Sequence, residues 1–240
     1  MTITEFSDTF DTLLNSYSVS ANFGEEASKQ VITLDEYEKS VFLSKAQEEI
    51  VLGIYTGRNS FGESFESTEE TRRYLSNLIT EKYLKPITNS NGIPLGISST
   101  STFFTLPEDL WFLTLESVVI DNGKCKRETF IKVFPVKQDE YQSIKDNPFR
   151  GANYRRALRL DLSEGNVEII CKYQIAAYYI RYIRKAHPII LETLPEGLTI
   201  EGESTARGCE LHESLHQRIL DRAVQMALQS KGYQIQRDNK

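Results

Sequence analysis

Residues 158–175 read Leu-Arg-Leu-Asp-Leu-Ser-Glu-Gly-Asn-Val-Glu-Ile-Ile-Cys-Lys-Tyr-Gln-Ile. Leu158, Leu160 and Leu162 alternate with Arg159 and Asp161, and Val167, Ile169, Cys171, Tyr173 and Ile175 fall on one side of a second run. A spacing of two is that of a β-strand, whose successive side chains point to opposite faces. Ser163-Glu164-Gly165-Asn166 between the runs supplies turn residues. The segment therefore predicts an antiparallel hairpin, which needs further strands to be stable.

Those strands are found on either side. Upstream, Leu113, Leu115 and Val119 alternate, Asp121-Asn122-Gly123 offers the positive φ angles of a tight turn, and a return strand is expected over 125–134. Residues 138–146 predict one or two helical turns ended by Asn147-Pro148, and Tyr178 to Arg184 a further strand or a bulged continuation. Farther out the period changes to three and four. Ile3, Phe6, Phe10, Leu13, Leu14 and Tyr17 line one face of a first helix. Thr33-Leu34-Asp35-Glu36 has the form of a capping box, opening a helix over 33–56 with Gly57 as its left-handed cap. Ser67 and Glu70 repeat that form ahead of a helix over 67–83 carrying Leu75, Leu78, Ile79 and Tyr83, with Pro86 as its stop. Residues 86–101 predict a long surface loop, and Leu211, Leu215, Ile219, Ala223, Met226 and Ala227 a last helix stopped at Gly232.

The expected class is α+β, with N-terminal and C-terminal helices packed with a central antiparallel sheet built from hairpins. One domain is expected over 1–240, its helical part at 1–85 and 205–232 and its β-rich part at 101–200. Length and an apolar share of 40% suffice for a buried core, which excludes a disordered or low-complexity chain. No basic, apolar leader opens the sequence and its apolar runs are too short to span a bilayer, so no membrane association is expected. Three widely spaced cysteines, Cys125, Cys171 and Cys209, fit reduced thiols better than a disulfide framework. A net charge of −6 leaves no broad footprint for phosphates.

Chemistry concentrates in one string. His212-Glu213-Ser214-Leu215-His216 fits the H-E-x-x-H pattern, in which a helix brings two imidazoles to one face to hold zinc while the glutamate serves as general base; Cys209 lies three residues earlier. The remainder of such an enzyme is missing. Ile219 and Arg222 occupy the places of the extended pattern's Gly and third His, and no glutamate follows Glu213 to supply a further ligand. A helix start whose histidines face solvent or a neighbouring subunit is the reading favoured here, with a zinc metallopeptidase as the alternative. His187 is the remaining histidine, and no nucleophilic triad is set by spacing. Gly-rich phosphate loops are absent. Arg155, Arg156 and Arg159, and Arg181, Arg184 and Lys185, form two basic clusters interleaved with Tyr154, Tyr178, Tyr179 and Tyr182. Strand alternation splits each cluster between two faces, which weakens them as a single-stranded nucleic-acid platform. No catalytic, cofactor-binding or metal-binding residue is assigned.

Several strings, taken in order, resemble a known family. They are Leu34-Asp35-Glu36-Tyr37-Glu38-Lys39-Ser40 leading to Ala46-Gln47-Glu48-Glu49-Ile50, then Arg73-Tyr74-Leu75-Ser76-Asn77-Leu78, then Leu106-Pro107-Glu108-Asp109-Leu110. Asn147-Pro148-Phe149-Arg150, Arg181-Tyr182-Ile183-Arg184, Cys209-Glu210-Leu211 and Ile219-Leu220-Asp221-Arg222-Ala223 follow. The order is similar to that of the ring proteins in the head-to-tail connector of crAss-like phages of gut bacteria, and spans about 33–228. That resemblance implies a virion structural protein, made in the host cytoplasm, that forms a ring of twelve copies on the portal or a neighbouring ring. It implies no enzymatic activity and no cofactor, and DNA passing through the channel without specific binding. On this reading the helices 33–56 and 67–83 would pack around the ring, and the loop 86–105 would be an arm reaching a neighbour.

Overall fold

The computed structural model describes residues 1–21, 33–58, 64–87, 96–120 and 129–231. They form two compact units, one of residues 1–78 with 186–240 and one of residues 79–185. The fold is α+β, as expected.

The first unit is helical: α1 (Ile3–Ala21), α2 (Glu36–Thr56), α3 (Glu69–Tyr74) and α5 (His216–Ser230). Phe6, Phe10 and Leu14 of α1, Leu43, Ala46 and Val51 of α2, and Ile219, Ala223 and Ala227 of α5 are buried, following the helical spacing of the sequence. Gly57 takes φ 75°, the left-handed cap anticipated for α2. The start of α2 differs from expectation. Asp35, not Thr33, is the N-cap, and its carboxylate accepts from the Glu38 backbone N–H at 2.7 Å. Asp is as strong a cap as Thr and stands at the extended residue next to the first helical turn, two residues beyond Thr33.

Polar residues buried on α2 have a structural task. Ser40, Ser44 and Gln47 lie on one stripe and serve the backbone of the irregular segment 187–191. Leu191 N–H donates to Ser40 Oγ at 3.0 Å, Ile189 N–H to Ser44 Oγ at 3.0 Å, and Gln47 Nε2 to the His187 carbonyl at 2.8 Å. The helix thus supplies the pairing that a neighbouring strand would otherwise give. Lys39, also buried, bridges α1 and α2 through Asp11 at 2.7 Å and Glu36 at 2.9 Å.

The second unit is a seven-stranded sheet, ordered β1-β7-β3-β4-β5-β6-β2. Its strands are β1 (Ile79–Leu84), β2 (Ser101–Thr105), β3 (Leu110–Ile120), β4 (Thr129–Pro135), β5 (Arg156–Asp161), β6 (Asn166–Ile170) and β7 (Ile175–Arg184), with the short helix α4 (Tyr141–Ile144) before β5. The hairpin read from 158–175 is present. Leu158 pairs with Ile170 and Asp161 with Val167, and the turn carries Glu164 at φ 58° and Gly165 at φ 70°, the pattern of a type I′ turn. Strands β3 and β4 also pair antiparallel, from Ser117 with Lys132 to Ile120 with Thr129. The Asp121-Asn122-Gly123 turn lies outside the described residues. Strand β7 is one bulged strand between β1 and β3.

Three expectations are corrected. The helix expected over 67–83 is only α3 and a 3₁₀ turn over Ser76–Leu78; its remainder, Ile79-Thr80-Glu81-Lys82-Tyr83-Leu84, is β1. β-branched and aromatic residues favour a strand there, and β7 offers six paired positions, which outweighs a marginal helical spacing. The cap of α3 is Thr68 with Thr71, in place of Ser67 with Glu70. Residues 101–105 of the expected loop and arm form β2 on β6, whereas 88–95 lie outside the described residues. The sheet also contains a parallel pair, β4 with β5, because α4 and its flanking turns carry the chain back over the sheet between them.

The sheet curls until its edges meet, Ile87 N–H donating to the Phe103 carbonyl at 2.9 Å just beyond β1. Every strand then contributes to one interior, among them Leu84, Phe104, Val118, Ile131, Ala157, Ile169 and Tyr178. Strand β5 is buried on both faces. Ala157 and Arg159 point inward, and Leu158 and Leu160 point outward beneath Tyr141 and Ile144 of α4.

Candidate functional site

The His-Glu string does not form a metal-binding helix. His212 is the N-cap of a 3₁₀ turn over Glu213–Leu215, and α5 begins only at His216. One continuous helical turn, needed to align the two imidazoles, is therefore missing. His212 Nδ1 meets Ser214 Oγ at 2.5 Å. His216 is buried, Nε2–H donating to the Leu211 carbonyl at 3.2 Å while Nδ1 faces the Met1 amine at 3.1 Å, so both ring nitrogens are engaged internally. Burial, and then the nearby ammonium, hold its pKa below the usual imidazole range. Cys209 donates to Gln47 Oε1 at 3.3 Å, and burial pushes its thiol up to about 11, far from a thiolate ligand. Among the described residues no group of three or more His, Cys, Asp and Glu is placed to hold a metal ion.

His187 stands elsewhere in the same unit, with Nδ1 on Glu203 at 2.5 Å; Arg207 meets that carboxylate at 3.2 Å. A cleft of about 470 Å³ separates α2 from α5, where Arg58, Arg218 and Arg222 face Glu49 and Asp221. Arg222 is bound to Glu49 at 2.8 Å, and the cleft holds no nucleophile beside a base.

Inside the sheet unit lies a polar cluster that periodicity did not single out. Arg159 of β5 meets Glu116 of β3 at 2.5 Å, and the Tyr178 hydroxyl of β7 donates to the other oxygen of Glu116 at 2.5 Å. Both charged side chains are 11% exposed, and Arg159 reaches on to Asp161 at the rim at 2.9 Å. Burial and then Glu116 raise the Tyr178 hydroxyl above its ordinary range, keeping it a neutral donor. The pair crosses the interior from strand to strand and fixes register, as buried ion pairs can do. One charge inside each apolar run, Glu116 in β3 and Arg159 between leucines, was its signal in the sequence.

The basic clusters separate as alternation requires. Arg159 turns inward, Arg156 stacks on Phe134 at 4.4 Å, and Arg155 is exposed. Arg181 turns outward to Glu81 at 3.2 Å and Tyr179 at 3.1 Å, on the side opposite Tyr182, whose hydroxyl donates to Asp109. Among the described residues the two clusters therefore form no continuous cationic surface.

Among the described residues neither unit presents a catalytic constellation, and relatives decide the assignment. The family model described as phage tail ring protein 3/4 matches residues 1–239. The chain belongs to that family. It is 48% identical over 234 residues to "Ring protein 3" of Bacteroides phage crAss001, with 96% of each chain covered. It is also 31% identical over 236 residues to "Ring protein 4/5" of the same phage, covering 95% of this chain and 92% of the relative.

Proposed function

We propose that the protein is a virion structural component that closes into a homo-oligomeric ring, of twelve copies, in the phage head-to-tail connector. The ring sits on the portal or on a neighbouring ring and extends the channel used in genome packaging and ejection. The observation that carries this reading is the end-to-end match to a protein named a ring protein. The greater identity to ring protein 3 than to ring protein 4/5 favours the former's place in the stack. A net charge of −6 per copy suits a channel past which DNA phosphates slide without being held. The protein acts as scaffold and conduit, not as an enzyme, and is assembled in the host cytoplasm.

Light scattering on the purified protein, with zinc assayed on the same sample, tests this. A closed oligomer without zinc is expected. A chain that stays near 27.5 kDa and holds stoichiometric zinc would return the zinc alternative at His212, Glu213 and His216.

A further inference from the structure

The net charge of −6 is unevenly divided along the chain. Residues 79–185, which make up the sheet unit, carry 16 Lys and Arg against 12 Asp and Glu, a net charge of +4; the remaining residues, with 12 against 22, carry −10. Salt screens charges more than about 10 Å apart, so a polyanion near the sheet unit meets the local charge and not the whole-chain total.

Part of that positive charge is gathered at the start of β5. Alternation takes Arg159 out of the string Arg155, Arg156 and Arg159 by turning it inward, but the sheet brings cations from other segments to the two that remain outside. Lys132 of β4 stands in register with Arg156, and both lie over the Phe134 ring, at 5.1 and 4.4 Å from its centre. Asn153 and Arg156 close a tight turn: Asn153 N–H donates to the Arg156 carbonyl at 3.0 Å and Arg156 N–H to the Asn153 carbonyl at 3.3 Å, which leaves Tyr154 and Arg155 at the tip. Asn153 Oδ1 braces that tip by accepting from the Arg155 N–H at 2.9 Å. Lys172, just beyond β6, lies over the Tyr154 ring at 5.4 Å, and the Tyr173 ring is 5.6 Å from it.

Two properties set this strip apart. Among the described residues Lys132, Arg155, Arg156 and Lys172 have no carboxylate at salt-bridge distance, whereas Lys82, Lys137, Arg159 and Arg181 of the same unit are each paired with one. Tyr154 is 68% exposed despite its ring neighbours. Cations without internal partners beside an open ring are the two components of a strand-binding platform: charge for the phosphates and a flat face for a base.

We propose that Lys132, Arg155, Arg156 and Lys172, together with Tyr154, form a nucleic-acid-binding strip that takes a strand by its phosphates without reading its sequence. The inference goes beyond the ring reading and does not depend on it. Phosphate contacts carry no base information, and a stacked ring accepts every base, so a strand slides over such a strip. Protein carboxylates would satisfy the cations but leave Tyr154 without a flat partner, whereas a nucleotide supplies both.

The test is fluorescence anisotropy of the purified full chain with a labelled oligothymidine of about 20 nucleotides, at about 50 and about 200 mM NaCl, with polyglutamate of equal charge as competitor. Four phosphate contacts to a single strand predict a dissociation constant that rises about fiftyfold across that change in salt. The double substitution Arg155→Glu with Lys172→Glu, and separately Tyr154→Ala, are each expected to weaken binding at low salt about tenfold or more, with unchanged circular dichroism. Lys137→Glu makes the same kind of charge change beyond the other end of the β4–β5 pairing and is expected to alter binding less than about threefold. Absence of binding at low salt, binding that does not respond to salt, or equal losses in Lys137→Glu and the strip variants would overturn the proposal. Displacement by polyglutamate as effective as by unlabelled oligothymidine would overturn it in favour of an acidic protein partner.

Discussion

Arg159 and Glu116 show how one residue pair constrains a sheet. Each side chain is 11% exposed, so removing one leaves the other's charge inside an apolar wall. Glu116→Gln is therefore expected to cost about 3 kcal/mol, and replacing both partners by Leu and Met to recover most of that loss, as read by urea denaturation. His216 gives a second expectation. Its folded pKa is lowered by burial, so the unfolded chain binds the proton more readily and stability falls as pH drops below about 6.5, the ordinary imidazole value. Above that pH its contribution is fully present. Denaturation midpoints compared between pH 7 and pH 5 should fall less in His216→Gln than in the parent protein, and equal falls would remove His216 as the cause. The same residues mark what could be read from sequence. The H-E-x-x-H string was visible, whereas the break between the 3₁₀ turn and α5 that separates its histidines comes from local packing that spacing does not encode.

At the scale of elements, strongly periodic segments were legible and termini were not. Helices α1, α2 and α5 and the hairpin β5–β6 follow directly from their apolar spacing. Strand β1 was misread because Leu75, Leu78, Ile79 and Tyr83 satisfy a helical spacing, while the deciding partner, β7, lies about a hundred residues away. Strand β2 was missed for the same reason, since Ser101-Thr102-Phe103-Phe104-Thr105 follows a Pro- and Gly-bearing stretch and is defined by pairing with β6. The cap of α2 can be checked directly. Asp35→Ala is expected to cost about 1 kcal/mol and Thr33→Ala less than about 0.5 kcal/mol, by thermal denaturation, because only Asp35 bonds to a free N–H of the first turn. The reverse order would restore the Thr33 capping box.

At the scale of the whole molecule, the end-to-end likeness to ring proteins supports the proposed reading, in which the chain is a building block of a ring. Its buried polar residues pair internally: Ser40, Ser44 and Gln47 with backbone, and Arg159 with Glu116. Among the described residues its most exposed large apolar side chain is Phe149. Sequence pattern alone reached the fold class, but the ring-protein family was legible only through the resemblance of several strings taken in order, since no single motif encodes it. Cryo-electron microscopy of the connector in virions of the encoding phage tests this most directly. The account predicts a closed belt, roughly twelve copies of this fold around the channel, in the tier adjoining the portal or another ring. A fully traced connector in which no ring fits this fold would contradict it.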